Sequence, residues 1–148
     1  MGQQQLLLLV LSTVIVGLAT VAGIQAFDEN QEQATQDALV QRGVEIASEV
    51  RSAVQKPSQF GGVDLSSGTE SEHKSEIADL NGWSDATAIP ADGAGDGATC
   101  DLSGVGGNND SPTATINCTT ANDQVAVQVN LASNGDISSD LGYSPSAE

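Results

Sequence analysis

The chain has 148 residues, with 20 Asp and Glu against 4 Lys and Arg, a formal charge of −16, and only 3% aromatic side chains. Without clustered cations it has nothing to attract phosphate, so nucleic acid is excluded as a partner. The length admits an N-terminal segment plus one small domain. With one Trp, one Tyr and two Phe, its core is thin and relies on a disulfide or on partners. The acid is dispersed along the chain, as in a self-repelling soluble surface, and it also suits a high-salt medium.

Residues 1–27 carry no ionisable side chain, and Leu6–Ile24 reads LLLLVLSTVIVGLATVAGI. At about 1.5 Å per residue this stretch crosses most of a bilayer's hydrocarbon core. A secretory signal peptide would need a basic flank, and Met1-Gly2-Gln3-Gln4-Gln5 offers none. Gly17 and Gly23 are positions for close helix packing or for local unwinding.

The helical signal then continues through QAFDENQEQATQDALVQRGVEIASEVRSAVQKP, with no proline before Pro57. Apolar residues recur at Ala34, Ala38, Leu39, Ala47, Val50 and Val54, with Val40, Val44 and Ile46 widening the stripe. Arg51 and Lys56 complement the helix dipole in the last turns, and Pro57 with Gly61-Gly62 supplies the stop. A single helix from Gln3 to Gln55 is predicted, apolar in its first half and one-sided in its second.

From Gly61 the composition turns to Gly, Ser, Asp, Asn and Thr. Glu70–Leu80 is expected as a short polar helix or turn anchored by Ile77 and Leu80. Trp83 is expected to plug the small core, with ligand stacking as the alternative. Ala91–Ala98 reads as a flexible glycine-rich loop. Asp92 and Asp96 invite calcium, but Ala94 stands where a third ligand belongs and no Glu closes the loop. Gly104–Gly107 is likewise expected as a loop, without the Lys and Ser/Thr of a phosphate cradle.

Strands are predicted at Thr113–Thr120 and Gln124–Ala132, joined by a turn at Ala121-Asn122-Asp123. Val125, Val127, Val129 and Leu131 alternate with Ala126, Gln128 and Asn130, which gives one buried and one wet face. Asn134-Gly135 signals a hairpin, with Ile137–Tyr143 returning as a third strand. The valine face is the natural seat for the helix stripe, so Leu39, Ala47, Val50 and Val54 are expected to pack on it. Cys100 and Cys118 are read as one disulfide in an oxidising compartment, worth about 3 kcal/mol by loop closure. A two-cysteine metal site would lack ligands, since His73 is the only histidine and lies far away in sequence. Asn109-Asp110-Ser111 and Asn117-Cys118-Thr119 match the N-glycosylation pattern.

No catalytic constellation, metal cluster or cofactor motif is found, so an enzyme is not expected. The fold class is α+β: a long N-terminal helix (residues 1–27 apolar, 28–56 amphipathic) on a small acidic antiparallel β-meander head (57–148).

This layout, with Gly2, the Leu6–Ile24 stretch, a helix to about Gln55 and the Cys100/Cys118 pair, resembles type IV pilins. The resemblance covers the whole chain and is architectural. It implies the structural subunit of an extracellular pilus-like filament, held in the inner membrane before assembly and handled by a pilus assembly machinery. The filament's core would be packed from copies of Gln5, Leu6, Leu7, Leu8, Leu9, Val10, Leu11, Val14, Ile15, Gly17, Leu18, Val21, Gly23, Ile24 and Phe27. The family's fifth-position glutamate is missing: Gln5 stands there if Met1 begins the chain, and Leu7 if Gln3 does. A permanent single-span anchor for an extracytoplasmic domain, or a minor pseudopilin of a secretion apparatus, is the alternative.

Overall fold

The computed structural model describes residues 2–122 and 125–141. In chain order these form α1 (Gly2–Gln55), a 3-10 turn (Ser58–Phe60), α2 (Glu70–Asn81) and five strands. The strands are β1 (Ile89–Pro90), β2 (Thr99–Asn108), β3 (Ser111–Thr119), β4 (Ala126–Leu131) and β5 (Ile137–Asp140). Two compact units are distinguished, Met1–Ala34 and Thr35–Glu148. The second is the head, and residues 35–55 of α1 belong to it.

Within the head, α1 buries Leu39, Gly43, Ile46, Ala47, Val50, Ala53 and Val54, a stripe at the three- and four-residue spacing of one helix face. Of the expected stripe, Leu39, Ile46, Ala47, Val50 and Val54 are buried. Ala34 and Val44 are exposed, and Ala38 and Val40 are half-buried at its margin. Gly43 was not foreseen. A Cβ there would lie 2.5 Å from Val129 Cγ2 and 3.5 Å from Cys118 Sγ, so its missing side chain lets the helix backbone approach the sheet.

Pro57 follows the end of α1, and Gly61 turns the chain at φ 81°. The amides then fold back: Gly62 N donates to Pro57 O (3.2 Å) and Val63 N to Ala53 O (3.3 Å). A side chain at Gly62 would collide with the Lys56 carbonyl, so glycine is required where the chain recrosses the helix end. Neither Arg51 nor Lys56 lies in the last turn of α1, contrary to expectation, and Arg51 Nη1 instead donates to Gly135 O (3.1 Å) in the β4–β5 turn.

The sheet is an antiparallel meander in the order β1-β2-β3-β4-β5. Cys100, Leu102, Val105, Ala114, Ile116, Cys118, Val127, Val129 and Leu131 form its inner face, in one core cluster with the α1 stripe. The wet face expected of β4 is more structured than simple solvation. Ala126 is buried, while Gln128 and Asn130 are half-buried in a hydrogen-bonded circuit across three strands. Asn117 Nδ2 donates to Ser103 Oγ (3.0 Å), Gln128 Nε2 to Asn117 Oδ1 (2.9 Å), and Asn130 Nδ2 to Gln128 Oε1 (3.2 Å). Thr115 Oγ1 donates to Asn130 Oδ1 (3.2 Å), and Ser103 Oγ returns to the Thr115 carbonyl (3.1 Å).

Two loop expectations need correction. Gly104–Gly107 lies inside β2, paired to β3 as far as Asn108↔Ser111, with one register shift between Leu102 and Gly104. Thr115 and Thr113 on the facing strand cover these glycines: a Cβ at Gly104 would lie 3.6 Å from Thr115 Cβ, and one at Gly106 3.4 Å from Thr113 Oγ1. Ala91–Ala98 is an ordered excursion between β1 and β2: Ala91, Ala94 and Ala98 point into the core, and Ala91 N donates to Ala98 O (2.9 Å). Strand β5 ends at Asp140, and the remainder of the expected strand to Tyr143 lies beyond the described residues apart from Leu141. Asp123 and Gln124 also lie outside them, while Ala121 and Asn122 form the expected turn.

Helix α2 forms as predicted, opened by a capping box. Thr69 N donates to Glu72 Oε2 (2.7 Å) and Glu72 N to Thr69 Oγ1 (3.4 Å). Its anchors are Ile77, Ala78 and His73. Leu80 is exposed. Trp83 packs half-buried at the edge of the core and does not plug it.

Candidate functional site

The most unusual surface belongs to the first unit. Thirteen large apolar side chains between Leu6 and Phe27 are all more than half exposed, from 52% at Val14 to 71% at Leu7 and Phe27. Leu6–Leu11 are six in a row, and at 3.6 residues per turn they already surround the helix. The surface is therefore apolar on every side, unlike the one-sided stripe of a helix lying on a soluble core. Covering a side chain of this size contributes about 1.5–3 kcal/mol, so the set represents on the order of 20 kcal/mol. That exceeds the roughly 5–15 kcal/mol by which a whole domain is stable. Such a helix requires cover by lipid or by protein.

The polar groups of the segment are matched to that need. Ser12 Oγ donates to Leu9 O (2.9 Å), Thr13 Oγ1 to Val10 O (2.8 Å), and Thr20 Oγ1 to Gly17 O and Val16 O (2.9 and 3.0 Å). Each hydroxyl is satisfied within its own helix, as an apolar surrounding demands. A Cβ at Gly17 or Gly23 would meet nothing within 4 Å, so both leave shallow open notches. Gln5 is exposed with Gln3 and Gln4 in the first turn, and Leu7 is as bare as its neighbours. Charge begins abruptly at Asp28 and Glu29, next to Phe27. By length and composition the helix is sufficient to cross a membrane.

No protein-family model, curated protein or solved structure matches the chain.

The head supplies the other predicted positions. Leu39, Ala47, Val50 and Val54 meet Val125, Val127, Val129 and Leu131 in one core, with Val125 at its rim. Cys100 and Cys118 are disulfide-bonded across directly opposed positions of β2 and β3, with Cα atoms 3.9 Å apart and both residues wholly buried. The two candidate glycosylation amides are engaged. Asn109 Nδ2 donates to Val63 O (2.8 Å) and Val54 O (3.3 Å), while its Oδ1 accepts from Leu65 N (2.9 Å). Asn117 belongs to the circuit on the outer sheet face.

The packing of Gly43, the bridging role of Asn109 and the burial of His73 were not legible in the sequence. The His73 ring is buried, and Nε2 donates to Ser67 O (2.9 Å), the carbonyl fixing which nitrogen carries the proton. Of these and the α2 start, only the start had a readable signal, the Thr69-x-x-Glu72 pattern.

Electrostatically the head is a scaffold of local ties. Lys74 Nζ pairs with Glu70 (2.9 Å), which holds that carboxyl below its ordinary range, and also donates to Ser103 O (2.9 Å). The Thr87 amide and hydroxyl do the same for Asp85, and Ser66 for Asp64. Burial pushes Glu49 and Asp101 upward, against the opposing pull of Arg42 and Lys74 respectively. One oxygen of each is buried without a hydrogen-bond partner. Among the described residues, no group of three His, Cys, Asp or Glu is placed to hold a metal ion.

Proposed function

We propose that this chain is the structural subunit of an extracellular pilus-like filament, polymerising through the apolar half of α1. The observation that carries the reading is the uncharged helix surface, bare on all sides from Leu6 to Phe27. In a bilayer, lipid covers it before assembly. In a polymer, copies of the same helix replace lipid, and packing supplies the attraction. The notches at Gly17 and Gly23 let neighbouring backbones approach. With no carboxylate among the first 27 residues, register between helices rests on side-chain packing and on Gln3–Gln5. The buried disulfide suits an oxidising, extracytoplasmic place for the head.

The test is expression of the full chain, mechanical shearing of the cells, and electron microscopy with N-terminal mass spectrometry of the sheared material. Thin fibres composed of this chain are expected, and Ile15→Lys is expected to abolish them. A chain recovered only with membranes, monomeric in detergent and absent from sheared fractions, would instead be a permanent single-span anchor. The self-satisfied hydroxyls of Ser12, Thr13 and Thr20 serve that role equally well.

A further inference from the structure

The head's positive charge is almost fully committed. Arg42 is held by Glu45 (2.7 Å) and the Pro90 carbonyl (3.1 Å), Arg51 by the Gly135 carbonyl, and Lys74 by Glu70 and the Ser103 carbonyl. That leaves Lys56, the last of the chain's four Lys and Arg. It is exposed just past the end of α1, and its side chain makes no hydrogen bond or ion pair among the described residues. Copies carrying −16 each repel one another, so a contact between heads is favoured where it brings in a cation, and each copy has one to offer.

A receptor for it lies elsewhere on the head. The sole tryptophan, Trp83, lines a groove of about 250 Å³ with Asp79, Asp85 and the hydroxyls of Ser71, Ser75 and Thr87. Its side chain is half-buried at the core's edge, and the indole N–H donates to no described residue. Asp79 is exposed at the end of α2, and its side chain makes no hydrogen bond among the described residues. The Lys74 ammonium also lines the groove but is drawn to Glu70 and Ser103, leaving two carboxylates beside an aromatic face. An ammonium over tryptophan is attracted by the ring face, more strongly as water is excluded, and neighbouring carboxylates add to it.

We propose that Lys56 of one copy docks in the Trp83 groove of the next, its ammonium facing the indole and the Asp79 and Asp85 carboxylates. The inference rests on the filament reading and names a head-to-head contact within it. Because the two patches differ, the contact is head-to-tail: every copy presents one lysine and one groove, and the chain of contacts propagates without closing a pair.

The test uses the full chain. Cys100 and Cys118 are bonded to each other, so cysteines introduced beside the contact as Ser58→Cys and Ser84→Cys, with Lys56 left in place, are the only free thiols among the described residues. Mildly oxidised fibres of this double variant are expected to give a ladder of multiples of the chain mass on a non-reducing gel. Fibres without a ladder would overturn the contact while leaving the filament reading intact. Wild-type cells that yield no fibres would overturn both.

Charge reversal supplies the second arm. Lys56→Glu is expected to lower fibre yield roughly tenfold, and Lys56→Glu with Asp79→Lys to restore it. Circular dichroism of detergent-held monomers separates a folding failure from an assembly failure. Undiminished yield in Lys56→Glu, or no rescue by Asp79→Lys in well-folded protein, counts against the assignment.

Discussion

Gly43 on α1 lies so close to Val129 on β4 that one added methyl carbon would stand 2.5 Å from Val129 Cγ2. The helix of the head therefore rests on the sheet by its backbone at that point. Two effects oppose each other at this position. Alanine would gain about 1 kcal/mol of helix propensity, whereas overpacking costs about 1–3 kcal/mol. The clash is with the stiff branch of a β-branched side chain that is itself wholly buried, so overpacking dominates. Gly43→Ala is expected to lower the denaturant midpoint, and an unchanged or higher midpoint would show that the sheet yields at β4.

Asn109 makes its own prediction. Its amide donates to the ends of two segments, Val54 O and Val63 O, and its carbonyl receives Leu65 N. Asn109→Asp keeps the acceptor but turns a carboxylate oxygen toward two carbonyls. A loss of about 2–3 kcal/mol is expected in chemical denaturation. Since glycan attachment would consume the same nitrogen, mass spectrometry of the native chain is expected to find Asn109 unmodified.

The pH dependence has two opposed parts. Glu49 and Asp101 have folded values raised above the ordinary 4.5 and 3.8 by burial, so the folded state holds their protons more tightly than the unfolded chain does. Their contribution is favourable at low pH and is lost as pH rises through the raised folded values. Asp64, Glu70, Glu72 and Asp85 are lowered, so their contribution is present above the ordinary range and lost as pH falls through the folded values. Those four are exposed and count for little. Glu49→Gln and Asp101→Asn are therefore expected to raise stability at pH 7 more than at pH 4, read by urea titration at both. Equal gains at the two values would contradict the burial argument.

Assembly should depend on salt and on small residues in separable ways. Raising ionic strength from about 0.1 to 1 M shortens the screening length from about 10 to 3 Å, which weakens repulsion between acidic heads. Fibre yield is expected to rise over that range. Gly17→Val meets no neighbour within its own chain, so head unfolding should be unchanged while fibre yield drops. A Gly17→Val chain that assembles normally would place the helix–helix contact on another face.

Much of this architecture is legible in the residues. The spacing of Leu39, Ala47, Val50 and Val54 declares a one-sided helix, and the alternation of Val125, Val127, Val129 and Leu131 declares a strand with one wet face. What escaped depends on partners distant in sequence. Gly104–Gly107 reads as a loop because glycine disfavours strands, yet Thr113 and Thr115 on the facing strand cover the gaps. Asn109 looks like any polar turn residue until Val54, Val63 and Leu65 converge on it. Trp83, the obvious candidate for a core, lies at its edge because small residues such as Ala86, Ala91, Ala94 and Ala98 help fill the interior.

The Cys100–Cys118 bond lies on the inner face of the sheet, wholly buried, with Gly43 of α1 above Cys118. Both cysteines are 0% exposed, so the closed head shields the sulfurs from a dissolved oxidant. The thiols must therefore be joined while the β2–β3 hairpin is still accessible, with the helix settling afterwards. This sets an order of events in folding: the sulfurs join first and the helix docks second. A head that closes too soon seals two reduced cysteines inside.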